Sequence, residues 1–262
     1  MSHPSHSHLV LIPSYNTGGR VLDTVREART LWQPVWVVID GSTDGTTESL
    51  QALAQRDPGL KVLVLAQNQG KGAAVLHGLR EAEAAGFTHV LTMDADGQHP
   101  AKKIPEFMAA SAASPAALIL GLPVFDASIP PLRLHGRKIS NGLANLETLW
   151  AGIGDALYGF RVYPVAPLRE IMEQQRWMRG FDFDPEAATR LCWRGLNPIN
   201  LAAPVRYFRP EEGGVSHFNY LRDNALLAWM HLRLLPEFLL GLPVLLWKKT
   251  ARLHRFIRPS RR

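Results

Sequence analysis

One cysteine in 262 residues leaves no intrachain disulfide to form. Its neighbours, Leu191 and Trp193, mark Cys192 as a core thiol, and nothing in the chain demands an oxidising compartment. No G-x-G-x-x-G follows the first apolar run, and no G-x-x-x-x-G-K-[ST] occurs. Both familiar Gly-rich devices for cradling phosphate are therefore missing. The C-terminal region has no long uncharged apolar stretch either. The longest near the C-terminus, 238–247, has ten residues, about half of the roughly 20 that a membrane-spanning helix needs. Residues 1–8 have neither a basic start nor an apolar stretch, so they read as a polar, disordered tail and not as a signal peptide. Acids are also in deficit: 23 against 29 lysines and arginines, a formal charge of +6. Such an excess suits nucleic acid, nucleotide phosphates or an anionic membrane.

What is present is an apolar chain, 46% hydrophobic, that alternates strand and helix patterns. Short buried-strand runs fall at 9–12, 35–39, 61–65 and 90–93, the first ending at Pro13. Helical spacing lies between them at 21–31, 48–55 and 73–85. Further strands are expected at 118–120, 159–163 and 199–207. Further helices are expected at 139–150, 165–175 and 183–193. This order predicts an α/β fold: a Rossmann-like, mostly parallel sheet with helices on both faces and right-handed crossovers. In such sheets ligands gather outside the carboxyl ends of the strands. Asp40, the loop 67–72 and the pair Asp94/Asp96 all fall at such ends.

The segment Leu91-Thr92-Met93-Asp94-Ala95-Asp96-Gly97-Gln98-His99-Pro100 is the most informative. On extended chain, residues two apart point to one side, so Asp94 and Asp96 can aim at a common point. Two hard oxygen ligands there suit Mg²⁺ or Mn²⁺, with positions left for phosphate oxygens. Gln98 continues the series and offers a neutral oxygen. A turn and helix cap would use the same residue types.

Taken in order, five segments resemble family 2 glycosyltransferases of the GT-A fold, and most resemble the branch that includes polyprenol-phosphate sugar synthases. They are Ile12-Pro13-Ser14-Tyr15-Asn16, Val38-Ile39-Asp40-Gly41-Ser42-Thr43-Asp44-Gly45-Thr46, Asn68-Gln69-Gly70-Lys71-Gly72, the acidic segment above, and Gly159-Phe160-Arg161. Phe181-Asp182-Phe183-Asp184-Pro185-Glu186 is similar to the family's later acidic segment. The resemblance implies a catalytic GT-A domain over 9–215 and an inverting transfer of a sugar from a UDP- or GDP-linked donor. Pro13, Tyr15 and Asn16 would shape the base and ribose pocket, and Asp40 would accept from the base N–H edge. Lys71 would reach a phosphate. Asp94, Asp96 and Gln98 would hold the metal ion. Asp184, or failing it Glu186, would serve as general base for a hydroxyl acceptor; an anionic polyprenol phosphate would need none. In the bland alternative Asp184 is a helix cap ahead of Pro185.

The chain departs from the family pattern in two places. Ile39-Asp40 stands where an acid pair is common. Gly121-Leu122-Pro123 lacks the arginine of Gly-x-Arg, so Arg133, Arg137, Lys138 or Arg161 would have to face the phosphates or the acceptor. Two rival readings remain open: a nucleotidyltransferase, and a non-catalytic membrane-associated binding protein on a transferase fold.

The remainder, 216–262, reads as an amphipathic helical segment with a basic tail, broken by charges and by Pro236 and Pro243. It is expected to lie on a membrane surface, the cytoplasmic inner face, without crossing it. The tail lacks an aromatic stacking platform, so nucleic acid is not the expected partner.

Overall fold

A computed structural model describes residues 4–125, 131–206 and 220–257, and within these the side chains of all but 131–133, 220 and 251–257. Seven strands form one sheet in the order β3-β2-β1-β4-β6-β5-β7. They are β1 (His8–Ser14), β2 (Val35–Asp40), β3 (Leu60–Leu65), β4 (His89–Thr92), β5 (Ala117–Val124), β6 (Arg161–Pro164) and β7 (Asn197–Pro204). β1 to β4 pair in parallel, as do β5 and β7, while β6 runs antiparallel between β4 and β5. The mostly parallel sheet is thus the expected one. Every residue of β1 and β2 is buried, which is why both read as near-continuous apolar runs rather than alternating ones.

Pro13 does not stop β1; it pairs with Val38 inside the parallel ladder. Val10 donates toward the β2 side, to Pro34 O. By alternation Pro13, three residues on, faces β4, whose register with β1 ends at Leu11↔Thr92. The N–H that proline lacks has no ladder partner there.

Helices α1 (Arg20–Leu31), α2 (Thr46–Ala54) and α3 (Lys71–Ala84) follow β1 to β3. α4 (Ile104–Ala113) was not expected, yet Ile104, Phe107, Met108 and Ser111 are buried at helical spacing. Its prolines and alanines disguise it as loop, although Pro105 in the first turn is a helix-start signal. α5 (Pro131–Glu147), α6 (Val165–Gln174) and α7 (Phe183–Arg194) complete the domain. α1 and α4 pack on one face of the sheet, and α3, α6 and α7 on the other.

The expected tail ends earlier than residue 8. His8 is buried, stacks on His89 at 4.5 Å and meets Ser111 Oγ at 3.0 Å. Burial, and then the neighbouring His89, push His8 down to about 4 from 6.5. Above about pH 6.5 both folded and unfolded chains hold this imidazole neutral. As pH falls toward 4 only the unfolded chain takes the proton, so stability is lost across that window. Urea unfolding of wild type and His8→Gln at pH 7, 5.5 and 4 checks this. The advantage of wild type over the variant must shrink on acidification; a pH-independent difference would refute it.

The C-terminal segment corrects the sequence reading. α8 (Tyr220–Ile257) is one 38-residue helix that runs through both Pro236 and Pro243. Leu221–Thr250 is long and apolar enough to cross a membrane, with a mean hydropathy of 1.4. It is tied to the domain at several points. Arg190 forks onto Glu237 at 2.7 and 2.8 Å, and Arg233 Nη2 meets Glu186 Oε2 at 3.0 Å. His231 bridges Ser140 and Glu147 of α5, and Lys248 Nζ donates to Trp193 O. Its own Leu227, Met230, Leu234 and Phe238, at helical spacing, are buried. The basic residues of the tail beyond Thr250 lie outside the described side chains.

Candidate active site

The carboxyl ends of β1, β2 and β4 are adjacent, and the loops leaving them interlock. Asn16, in the left-handed region at φ 44°, receives Thr43 N–H on Oδ1 at 2.7 Å and donates its own N–H to Ser42 Oγ at 3.0 Å. Asp44 binds Gly18 N at 2.8 Å. The β1 and β2 loops therefore form one wall, with Pro13 buried behind it and Tyr15 partly exposed.

Asp40 differs from its expected role. Its two carboxylate oxygens accept the backbone N–H groups of Gln69 and Gly70, both at 2.8 Å, and the residue is 2% exposed. Burial raises its pKa although these donors oppose the rise. Asp40 clamps the loop that opens α3 instead of facing open space. Gly70 closes that loop at φ +98°, where an added Cβ would lie 2.3 Å from Arg179 O. The 178–180 backbone thus seals the start of α3, and Ala73 N donates to Arg179 O.

The acids of the fourth motif lie on a turn, because β4 ends at Thr92 and Gly97 turns the chain at φ 76°. They still act on each other. Burial and then the Asp94 charge push the Asp96 carboxyl up to about 7. Asp96 Oδ1 receives Gln98 N at 2.9 Å. For Asp94, burial works upward, but the Lys71 charge outweighs it and the net shift is down. Asp94 N–H donates to His99 Nδ1 at 2.9 Å, which leaves the proton on Nε2, 3.5 Å from Asp94 Oδ2. Burial holds His99 near 4, hence neutral, and its ring packs edge-on against Tyr158 and Phe160. His99 is a site residue that sequence reasoning passed over, although it sits inside the quoted motif.

Lys71, the first residue of α3, reaches into this cluster. Its Nζ lies 2.7 Å from Asp94 Oδ1 and 2.8 Å from Asp184 Oδ2. Burial would lower its pKa, but Asp184 and Asp94 together raise it. Asp184 is no helix cap: it lies in the first turn of α7, 4% exposed, with Oδ1 buried and without a hydrogen-bond partner among the described residues. Glu186 does not enter the site. Two residues along a helix turn it by about 200°, and its fully buried carboxylate is held by Arg190 and Arg233. It anchors α8.

Arg161 does not face phosphate either. It is fully buried and donates to the carbonyls of Asp155, Tyr158 and Asp184 and to Tyr163 OH. Arg137 is engaged by Asp155 Oδ1 at 2.5 Å and stacks over Phe125. Lys138 is exposed, and the side chain of Arg133 is outside the described residues. Asp155, unmarked in the sequence reading, also receives Leu157 N and Tyr158 N. It shapes the approach to Gly159, where a Cβ would sit 2.7 Å from Lys71 Nζ.

No cluster of three or more metal-ligating side chains occurs among the described residues. The donor set still fits a hard divalent ion. Mg²⁺ is commonly held by one or two carboxylates plus substrate phosphates, not by a closed protein cage. The mutual repulsion of Asp94 and Asp96, and the unpartnered Asp184 Oδ1, are what a cation would relieve.

With this geometry in place, comparison with known proteins is informative. The pattern of Glycosyl transferase family 2 matches residues 9–172. An undecaprenyl-phosphate mannosyltransferase of Micrococcus luteus is 28% identical over 78% of this chain and 85% of its own. A polyprenol monophosphomannose synthase of Mycolicibacterium smegmatis is 30% identical over 74% of each. Among solved structures, glucosyl-3-phosphoglycerate synthase of Mycobacterium tuberculosis, in complex with Mn²⁺, UDP-glucose and phosphoglyceric acid, superposes with a TM-score of 0.60. It has 15% identity, covering 89% of this chain and 80% of that one. S. aureus TarS with UDP-GlcNAc gives a TM-score of 0.54 at 17% identity, covering 89% of this chain and 71% of that one. These two likenesses speak to the fold.

Proposed function

The chain belongs to glycosyl transferase family 2 and is a glycosyltransferase, and from that premise we propose that it moves a hexose, mannose first, from a nucleoside diphosphate to a polyprenyl phosphate. The family assignment sets aside the nucleotidyltransferase alternative. The observation that carries the finer reading is the cluster Asp94–Lys71–Asp184 with Asp96 beside it, at the carboxyl edge of β4. The names of the two mannosyl relatives supply the acceptor class.

In this reading the β1 and β2 loops hold the nucleoside, with Pro13, Tyr15 and Asn16 in the wall. Asp94 and Asp96, with Gln98 nearby, hold Mg²⁺ or Mn²⁺, which when bound neutralises charge on the departing diphosphate. Lys71 contributes a point charge to the same phosphates. An oxygen of the acceptor phosphate attacks the anomeric carbon from the face opposite the leaving group. The bond from that carbon to the diphosphate oxygen breaks, its electron pair leaves with the nucleoside diphosphate, and the anomeric configuration inverts. An anionic acceptor needs no base; Asp184 would fill that role for a hydroxyl. Incubation of the full chain with UDP- and GDP-hexoses, undecaprenyl phosphate and Mn²⁺ or Mg²⁺ tests this. A labelled, chloroform-extractable glycolipid is expected from one donor. Transfer only to soluble acceptors would refute the lipid assignment.

The same reading places the protein on a membrane surface. A spanning α8 would carry Asp223, Arg233 and Glu237 toward hydrocarbon and break the ties to α5 and α7. Lying flat, it keeps them and turns outward Leu232, Leu239, Leu240 and Trp247. On α5 and just beyond it, Ile139, Leu143, Leu146 and Trp150 form a second exposed apolar stripe. Wild type is expected to co-sediment with anionic vesicles, partly released by high salt. Leu240→Glu with Trp247→Glu removes two exposed apolar side chains, each worth about 1.5–3 kcal/mol when inserted. Binding should weaken by at least about a hundredfold, and wild-type binding by the variant would refute the surface.

A further inference from the structure

We propose that Lys71 is a built-in counter-ion: it draws Asp94 and Asp184 together when no donor is bound, and moves to the donor's diphosphate when one is. The inference rests on the donor reading above and deepens it. The two acids arrive from different places, one on the turn after β4 and one in the first turn of α7. Lys71 Nζ is the atom between them, 2.7 Å from Asp94 Oδ1 and 2.8 Å from Asp184 Oδ2. Its side chain is only 14% exposed.

The base of this side chain is fixed while its tip is not. Asp40 holds Gly70 N, and Arg179 O holds Ala73 N, so the first turn of α3 cannot shift. Only the four-carbon stem can swing, and an ammonium is a point charge that trades one oxygen partner for another without a fixed geometry. Gly159 leaves the space it occupies: a Cβ there would sit 2.7 Å from Nζ but 3.4 Å from both Asp94 Oδ1 and Asp184 Oδ2. The room at Gly159 is therefore shaped for the lysine tip and not for the acids.

Lys71 must then oppose a divalent ion in the absence of nucleotide, because both seek Asp94. In the presence of a nucleoside diphosphate it must assist, because the phosphates give it a new partner. A purely structural ion pair would not change sign in this way.

The test is calorimetry on the full chain, with Mn²⁺ alone and with UDP or GDP at saturating Mn²⁺. Lys71→Met should bind Mn²⁺ alone about tenfold more tightly, and the nucleotide about tenfold more weakly, because one unit charge is removed near each ligand. Gly159→Ala should also tighten Mn²⁺ binding, since it displaces the tip while keeping the charge. It meets only the far end of a flexible side chain, so it serves if Lys71→Met fails to fold. Unchanged or weaker Mn²⁺ binding in the folded variants would overturn the proposal. Wild type that binds Mn²⁺ but neither nucleotide would overturn the donor reading instead, and the Mn²⁺-only arm would still judge Lys71.

Discussion

Asp94→Asn is expected to cut sugar transfer by at least a hundredfold while the protein remains folded. The substitution keeps the shape of the side chain and removes its charge. Three things depend on that charge: the 2.7 Å pair with Lys71, the approach of His99 Nε2 at 3.5 Å, and the repulsion that raises Asp96. Removing one preorganised oxyanion-hole donor costs about 10²–10³ in rate, and here the lost charge also organises the groups around the leaving diphosphate. The fold should survive because the Asp94 side chain is one-third exposed and its backbone link to His99 does not involve the carboxylate. Initial rates with the competent donor, beside thermal melts of both proteins, measure the two effects separately. A variant within tenfold of wild type would remove Asp94 from the site. A variant that melts far below wild type would make it a folding residue.

The first half of this fold was legible because physics writes it in the simplest code. A parallel strand covered on both faces must be apolar throughout, as in Val35-Trp36-Val37-Val38-Ile39, and the polar residue that ends it marks the ligand edge. Legibility fails where a partner is distant in sequence. Nothing in α7 announces that Glu186 and Arg190 will meet Arg233 and Glu237, each 47 residues on. Without those ties α8 reads as a segment fragmented by charges and prolines. In 181–186 the pattern offers several acids, and only the helical phase, which depends on where α7 begins, decides that Asp184 faces Lys71. The place of Asp40 is hidden for a related reason. A carboxylate at a strand end is available to a ligand only if no backbone N–H claims it first, and the claimants, Gln69 and Gly70, come from a loop after the next strand. His99 was visible in the motif, but its role needed the turn at Gly97 to bring its ring under Asp94.

Arg161→Met is expected to destabilise the protein by about 3–5 kcal/mol, a penalty in the range for breaking a buried charged network. Two effects compete. Removing a fully buried guanidinium recovers the cost of desolvating it, and Met fills much of its volume. Against that, the carbonyls of Asp155, Tyr158 and Asp184 and the hydroxyl of Tyr163 lose their donor. Each buried acceptor left unmet costs about 1–3 kcal/mol, so the orphaned acceptors should win. Two of those carbonyls belong to the corner that precedes Gly159 and one to Asp184 itself. The loss therefore lands on the segments that frame Lys71. Arg161→Lys keeps the charge but cannot reproduce the fork that reaches several carbonyls at once, and it should recover only part of the stability. At about 2–4 °C per kcal/mol for a domain of this size, the Met variant should melt roughly 6–20 °C lower. A Met variant within 1 kcal/mol of wild type in urea unfolding would show that the buried carbonyls do not depend on Arg161. A destabilised Met variant whose sugar transfer is unchanged would confine Arg161 to holding the corner, although it donates to the carbonyl of Asp184.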